Sequence, residues 1–377
     1  MSNFAISTYN IEDESDERAQ AILMHMDLDM FFAAVEIKNN PSLANKPLIV
    51  GNPNARKTGR GVVLTASYEA RKFGVHSGMP MNEALKLCPQ AIIANSARNE
   101  YSKVSRRVMA IFKSLEVPMM QTSIDEAYLD ISGLVGSIKE AYFLAKELQD
   151  LVYETEGITI SMGIGPTLKI AKIASDYRKP QGITVVTENG LEQFFTGLKI
   201  TKIPGIGKVS GKKLTERGFG TCDTLFFLSE SEIELMLGNN LGGFLYRVLH
   251  GLSSNRIKIK EGQKSISHES TFGGKPGDLE KYRQITEKLF TRTYDAMKRK
   301  GYLCRTVTLK IRFNGFDTIT RARSLSFSTD KKDILKEVIY EILSPHFSDK
   351  RGLRLIGIGF SHLEKTQFVQ RSLNDFF

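Results

Sequence analysis

Residues 264–363 constrain the fold most, because their sequence patterns follow one another in the order strand, helix, strand, strand, helix, strand. The strands are predicted at "KSISHESTF", "TVTLKIRF", "DTITRARSLSF" and "LRLIGIGFSHL", and the helices at "DLEKYRQITEKLFTRTYDAMKRKG" and "KDILKEVIYEILSPHF". Apolar residues recur at every third or fourth position in the two helical segments, and at every second position in "TVTLKIRF". This βαββαβ order predicts a four-stranded sheet with two helices on one face.

The same C-terminal block carries the excess positive charge of the chain. The 377 residues have a formal net charge of +10. Residues 256–365 hold 24 Lys and Arg against 13 Asp and Glu, a net charge of +11, whereas residues 1–255 hold 27 against 28. Charge concentrated in this way predicts contact with a polyanion such as nucleic acid. A basic surface that contacts only solvent is the alternative that the charge alone leaves open.

Length and composition limit the class of protein. A chain of 377 residues is longer than one hydrophobic core usually supports, so we expect several domains. No run approaches the roughly 18 apolar residues of a membrane span, and we expect no membrane association. Cys88, Cys222 and Cys304 are far apart and lack metal-ligand spacing, which predicts a reducing compartment. The expectation is a soluble, cytoplasmic protein.

The segment "SIDEAYLDIS" places Asp125 and Glu126 side by side among strand-forming residues. In one continuous strand their side chains would point to opposite faces. We therefore predict a hairpin in which residues 117–124 pair with residues 127–131 and both acids lie at or near the turn. Asp27 ends a second apolar strand in "MHMDLDMFF". Three acids at strand ends suit two Mg²⁺ ions about 4 Å apart, and a solvated hairpin turn is the alternative.

Five motifs occur in a fixed order: "DLDMFFAAVE", "VVLTASYEARKFGV", "SIDEAYLDIS", "AKIASDYRKPQGI" and "IPGIGKVSGKKL". Together they resemble the Y-family (translesion) DNA polymerases of the DinB branch, from about residue 21 to the C-terminus. One departure is "GIGPTLKIAK", with Gly165, Pro166 and Thr167, where DinB-branch proteins usually carry "SKNKxxAK". A similar run occurs in the UmuC-like branch, so this segment leaves the branch open.

The resemblance implies an α+β multidomain fold, the right-hand polymerase with palm, small fingers, helix-hairpin-helix thumb and βαββαβ little finger. The expected divisions are a disordered acidic N-terminus (1–20), palm (21–30 and 97–186), fingers (31–96), thumb (187–253), linker (254–263), little finger (264–363) and a tail with a clamp-binding peptide (364–377). The implied activity is that of a DNA-directed DNA polymerase of low fidelity in translesion synthesis. A non-catalytic DNA-binding scaffold that recruits the sliding clamp is the alternative.

The resemblance also assigns roles to the acids. Asp27 and Asp125 are expected to bridge two Mg²⁺ ions, Glu126 to hold the catalytic ion, and the Leu28 carbonyl to serve as a backbone ligand. Asp29 matches an acidic position that is usually not counted as a ligand.

The nucleotide is expected to bind beside these acids. Thr65, Tyr68, Arg71 and Lys179 match residues that hold the triphosphate of the dNTP. Phe32 matches the aromatic steric gate that excludes a ribose 2′-hydroxyl, and we expect Phe31 to lie in the core.

Primer-template DNA is expected to bind through the thumb and the little finger. Gly205 and Gly207 would let the backbone approach a phosphate, with Lys208 following. Arg321 and Arg323 alternate on one predicted strand and therefore face the same side. Lys310 and Arg312 on the neighbouring strand are expected to add to that surface.

The tail "QRSLNDFF" fits a clamp-binding peptide. Gln370, Leu373, Phe376 and Phe377 satisfy the pattern Q-x-x-L-x-x-F-F, by which a short peptide fills an apolar pocket on a PCNA-type sliding clamp. A PCNA-type clamp together with a short chain favours an archaeal origin. A monomer is expected.

Overall fold

The structure is a computed structural model that describes residues 21–258, 262–273 and 275–366. The predictions for residues 1–20 and for Gln370, Leu373, Phe376 and Phe377 lie outside the described residues. The chain divides into two compact units, Met1–Ile259 and Lys260–Phe377. Among the helices that the structure describes, none is long and apolar enough to cross a membrane.

The first unit begins with alternating strands and helices. From residue 23 to residue 95 they are β1 (Leu23–Leu28), α1 (Phe31–Asn39), β2 (Leu48–Gly51), α2 (Ala55–Thr58), β3 (Thr65–Ala66), α3 (Tyr68–Arg71), α4 (Met81–Leu87) and β4 (Ile92–Asn95). From residue 98 to residue 185 they are α5 (Arg98–Lys113), β5 (Met119–Gln121), β6 (Glu126–Asp130), α6 (Ile138–Glu156), β7 (Ile160–Gly165), α7 (Leu168–Ser175) and β8 (Ile183–Val185).

The rest of the first unit is helical, and the second unit is mixed. The helices are α8 (Leu191–Phe195), α9 (Lys208–Glu216), α10 (Asp223–Phe226), α11 (Glu230–Leu237) and α12 (Asn239–Leu249). The second unit contains β9 (Ser265–Thr271), α13 (Leu279–Arg299), β10 (Tyr302–Phe313), β11 (Thr318–Thr329), α14 (Lys332–Leu343) and β12 (Leu353–Lys365). Short 3₁₀ turns lie at Pro41–Leu43, Ile200–Lys202 and Ser344–His346.

Strand β1 lies at the centre of a five-stranded sheet of order β5-β6-β1-β7-β8. It runs antiparallel to both neighbours, β6 and β7. Because strand side chains alternate between faces, Met24 and Met26 enter the core with α5 and α6, whereas His25 and Asp27 point to the other face. The alternation in "LMHMDL" therefore places an acid on the face that α5 and α6 leave uncovered.

Helix α7 packs on this second face, close to Gly163 of β7. A Cβ atom at position 163 would lie 2.1 Å from the Ala171 carbonyl oxygen and 2.2 Å from the Ser175 nitrogen. Only glycine permits such an approach of helix to strand. The helix begins at Thr167, whose hydroxyl accepts a hydrogen bond from the Ile170 N–H at 3.3 Å. The Gly-Pro-Thr departure thus supplies an ordinary N-cap.

The predicted hairpin is confirmed. β5 pairs antiparallel with β6, and Gln121 stands opposite Ala127. Glu126 is the first residue of β6, and Asp125 lies in the turn before it. A smaller sheet of order β3-β2-β4 covers its own core, with Ile49 and Val63 fully buried.

The second unit confirms the predicted βαββαβ order. Its four strands form an antiparallel sheet of order β11-β10-β12-β9. Alternate residues of β10, such as Leu309 and Ile311, are buried in one core with Phe290 of α13 and Ile339 of α14. Both helices therefore cover the same face of the sheet.

Candidate active site

Asp27 and Glu126 stand directly opposite each other on β1 and β6. Opposed residues of an antiparallel pair share a face, so the two carboxylates project from the same side of the sheet. The Leu28 N–H donates a hydrogen bond to the Asp125 carbonyl at 3.0 Å, which fixes the third acid beside them. The fold therefore brings together backbone positions that are about a hundred residues apart.

Each carboxylate nevertheless has a partner of its own. Lys179 Nζ lies 2.5 Å from Asp27 Oδ1, and Lys172 Nζ lies 2.5 Å from Glu126 Oε1. The Ser123 hydroxyl donates to Asp125. In the described ranges no three His, Cys, Asp or Glu side chains are grouped so that they could hold a metal ion. In this structure each of the three carboxylates contacts its own donor, and their joint binding of two metal ions stays a prediction.

The chemistry of this donor set still fits a divalent cation. Carboxylate oxygens are the ligands that Mg²⁺ prefers. Burial raises the pKa of Asp27 to about 7, Lys179 opposes this shift, and Asp176 and Glu126 add to it. A cation bound between Asp27 and Glu126 would favour their charged forms. Asp27, Asp125 and Glu126 are therefore the residues whose oxygens would hold a metal ion once their present donors are displaced.

His25 lies beside the acid pair, next to Glu126. The sequence motifs did not identify it as a residue of the site. The side chain is fully buried, and its Nδ1 is 2.7 Å from Ser175 Oγ. Its Nε2 is 3.9 Å from Glu126 Oε2. Burial lowers the pKa of His25 well below its ordinary value, and the Lys172 and Lys179 ammonium groups lower it further. The ring is neutral at pH 7 and adds no positive charge to the acid pair.

Asp29 joins three separate segments. Its Oδ1 accepts hydrogen bonds from the Tyr68 hydroxyl at 3.1 Å and from Ser161 Oγ at 2.7 Å. Its Oδ2 accepts one from the Gln181 N–H at 2.8 Å. The carboxylate therefore connects α3 to β7 and to the loop after α7. The second acid of "DLD" was the only sequence signal for this role.

Three of the predicted nucleotide-binding residues lie in one strand-helix corner. Thr65 is in β3, and Tyr68 and Arg71 begin and end α3. The Arg71 guanidinium carbon is 4.9 Å from the centre of the Tyr68 ring, and its Nε donates to the Ala66 carbonyl at 3.0 Å. Lys179, the fourth predicted residue, is not part of this corner and forms an ion pair with Asp27.

The two aromatic residues at the start of α1 differ in environment. Phe31 is buried in the core, and Phe32 is only partly buried. The Phe32 ring stacks on Tyr101, with centroids 4.3 Å apart and an interplanar angle of 11°. The Tyr101 hydroxyl donates to Glu36. Tyr101 and Glu36 therefore hold the Phe32 ring in position, a role that the sequence did not indicate.

The Gly205 turn lies between Ile203 and Ile206, which are both buried. Gly205 has a φ of +116°, which L side chains rarely adopt, and a Cβ at Gly207 would contact no atom within 4 Å. Helix α9 follows with Lys208 as its first residue. Gly205 and Gly207 are both exposed, so a ligand could reach their backbone, and contact with a DNA phosphate stays a prediction.

A polar groove of about 750 Å³ borders the Asp125 turn. Lys103 and Arg106 of α5 line one side of it, and Thr122 and Ser123 line the other. Two cations and several hydroxyl groups suit a phosphodiester backbone.

The cations of the second unit do not form the single surface that we expected. Arg321 and Arg323 stand opposite Leu309 and Val307, which are buried under the helices, and Arg323 pairs with Glu341 of α14. Lys310 and Arg312 stand on the other face of the sheet, opposite Thr320 and Thr318. The register between β10 and β11 sets this separation, and two isolated strand patterns do not reveal a register.

The sequence matches two parts of one known family. Residues 26–176 match the impB/mucB/samB family, and residues 263–373 match its C-terminal domain. A relative named DNA polymerase IV from Methanoculleus marisnigri is 38% identical over 94% of this chain and 98% of the relative. DNA polymerase IV 2 from Methanosarcina mazei is 35% identical over 97% of this chain and 98% of the relative.

Solved structures agree with these sequence matches. A Y-family DNA polymerase chimera of Dbh and Dpo4 superposes with a TM-score of 0.79 at 28% identity, covering 91% of this chain and 99% of the chimera. An insertion ternary complex of Dbh DNA polymerase gives a TM-score of 0.65 at 28% identity, over 90% of this chain and 98% of that chain.

Proposed function

Because the chain belongs to the Y-family DNA polymerases, in the DinB (DNA polymerase IV) branch, and is a DNA-directed DNA polymerase, we propose that it extends primers across damaged templates with two Mg²⁺ ions at Asp27, Asp125 and Glu126. The placement of Asp27 directly opposite Glu126 supports this most strongly. The Leu28 carbonyl is the proposed backbone ligand.

The protein groups of the site act on the nucleotide. When bound, the metal ions would activate the primer 3′-hydroxyl and offset charge on the pyrophosphate. Thr65, Arg71 and Lys179 hold the β- and γ-phosphates as hydrogen-bond donors and cations. The Tyr68 hydroxyl joins them by turning its proton from Asp29 to a phosphate oxygen. They orient the triphosphate for in-line attack.

The Phe32 ring limits the space available to the sugar. Its stacking on Tyr101 keeps the ring fixed, so a ribose 2′-hydroxyl would collide with it. We therefore infer a preference for deoxynucleotides.

Primer-template DNA is held through its backbone. Gly205, Gly207 and Lys208 contact phosphates in the first unit, together with the groove beside Asp125. Lys310, Arg312, Arg321 and Arg323 contribute in the second unit, on two faces. Such contacts tolerate sequence and depend steeply on salt, which is consistent with a polymerase that accepts distorted templates.

Clamp binding is proposed from the tail alone. A PCNA-type pocket would be filled by Gln370, Leu373, Phe376 and Phe377. The protein is further proposed to be a monomer and to act in the cytoplasm. Removing residues 370–377 is expected to abolish stimulation of synthesis by PCNA while leaving unstimulated synthesis intact. Equal stimulation of both proteins would contradict the proposal.

Primer extension by Asp125→Asn tests the metal assignment. We expect synthesis to fall by a factor on the order of 10³, as when a metal ligand or an electrostatic stabiliser is lost, while the affinity for primer-template is unchanged. Asp150→Asn, an exposed acid on α6, is the matched control. Near-normal extension by Asp125→Asn would contradict the assignment. Absence of metal-dependent dNTP binding by the wild-type protein on primer-template would instead favour the scaffold function.

A further inference from the structure

Lys172 and Glu126 form a partly buried ion pair that the polymerase family resemblance did not indicate. Lys172 Nζ is 2.5 Å from Glu126 Oε1, and the two side chains are 22% and 24% exposed. Solvent ions screen such a pair less than a surface pair. The N-cap at Thr167 and the close contact at Gly163 fix the position of α7. The backbone from which the Lys172 side chain extends is therefore fixed as well.

Lys179 makes a useful contrast. Its Nζ contacts Asp27 at 2.5 Å and also Asp176 at 2.9 Å. If a cation replaced it on Asp27, Lys179 would keep an acid partner. Among the ion pairs of the described residues, Lys172 contacts only Glu126. Its displacement from Glu126 therefore leaves a free ammonium group close to the acids.

A divalent cation and the Lys172 ammonium would compete for the same carboxylate, that of Glu126. A bound Mg²⁺ ion lies about 2.1 Å from its oxygen ligands. Two positive groups at such distances repel each other strongly, because the site is only partly exposed to water.

We propose that Lys172 is a displaceable counter-ion of Glu126, which opposes metal binding until the nucleotide arrives. This inference rests on the proposed role of Glu126 as a metal ligand. The negative charge of the triphosphate compensates the freed ammonium group, so nucleotide and metal binding become coupled. Lys172 is a positioning residue that sets the order in which the site fills.

The test measures Mn²⁺ affinity by the electron paramagnetic resonance of free Mn²⁺. It uses the full chain on primer-template with a dideoxy-terminated primer, with and without the next dNTP. Lys172→Met keeps the apolar stem and removes the charge. We expect it to bind Mn²⁺ on the order of tenfold more tightly than the wild type without dNTP, and to show a smaller difference with dNTP.

The controls separate this inference from the metal assignment. Lys172→Arg should bind Mn²⁺ like the wild type, and so should Lys146→Met, an exposed lysine on α6. Unchanged or weaker Mn²⁺ binding by Lys172→Met overturns the inference, because a lysine that only orients the Glu126 side chain would give that result. If Glu126→Gln leaves Mn²⁺ affinity unchanged, the proposed metal site itself fails. Lys172→Gln serves as a second variant, and thermal unfolding shows which variants are folded.

Discussion

The ring centroids of Phe32 and Tyr101 lie 4.3 Å apart and the rings are nearly parallel, so Tyr101 holds the proposed gate residue in position. Phe32→Ala is expected to raise the ratio of ribonucleotide to deoxynucleotide incorporation by a factor on the order of 10², because it opens the space for the 2′-hydroxyl. Tyr101→Leu should raise the ratio less, by roughly tenfold, since the gate remains but loses its support.

Single-nucleotide insertion kinetics with matched dNTP and rNTP would measure both variants. Phe143→Ala, which removes an exposed aromatic on α6, should leave the ratio unchanged. An unchanged ratio in Phe32→Ala means that another residue is the gate, whereas an effect in Phe32→Ala alone means that Tyr101 is not its support.

Tyr68→Phe removes one hydroxyl from the nucleotide corner and keeps the ring. We expect kcat/KM for dNTP to fall roughly tenfold, mostly through KM, as for one lost hydrogen bond to a charged group. Steady-state insertion kinetics would show this, and a fall confined to kcat would indicate that Tyr68 acts on the chemical step instead.

Asp29→Asn is expected to destabilise the first unit. The carboxylate accepts from Tyr68, Ser161 and Gln181, and an amide group would direct N–H toward one of these donors. A loss of about 2 kcal/mol in the free energy of unfolding follows. Denaturant unfolding would measure it beside Asp150→Asn, which should change the value by less than about 0.5 kcal/mol. Equal stability of the two variants would contradict the bridging role.

Glu156 connects α1, α5 and α6 through an ion-pair cluster. Its carboxylate contacts Arg107 at 2.5 Å and Lys38 at 2.8 Å. The hydrogen bond from Arg107 lowers the pKa of Glu156 below its ordinary value of 4.5, although burial opposes this. The charged carboxylate therefore stabilises the fold above pH 4.5, and this contribution is lost as the pH falls through the lowered pKa.

We expect Glu156→Gln to lower the free energy of unfolding by about 2 kcal/mol at pH 7. The difference from the wild type should shrink as the pH falls through the lowered pKa of Glu156, where the wild-type carboxyl becomes protonated. Urea unfolding at several pH values would test this, and a difference that does not depend on pH would rule out the charged pair as its cause.

The two cation pairs of the second unit should act separately on DNA. Each phosphate contact contributes about 0.9 to the slope of log affinity against log salt. Lys310→Gln with Arg312→Gln, and Arg321→Gln with Arg323→Gln, are each expected to lower that slope by roughly 1.8. Fluorescence anisotropy at several salt concentrations would measure the slopes. A pair that leaves the slope unchanged belongs to a face that does not meet the DNA.

Sequence reasoning predicted the strands, the hairpin and the βαββαβ order because those depend on local periodicity. It could also place Asp27 and Glu126 at strand ends. It could not predict their lysine partners, since Lys172 and Lys179 reach the acids only through the packing of α7 on the sheet. The faces of Arg321 and Lys310 were likewise hidden, because strand register depends on pairing over the whole sheet.

The close contact at Gly163 implies a position with almost no mutational freedom. Even the methyl group of alanine would press on the Ala171 carbonyl and push the helix outward. Because that helix carries Lys172, a change in a residue that has no side chain would disturb the charge balance around the acids without touching them. In a saturation mutagenesis screen of β7, position 163 should therefore behave like an active-site residue.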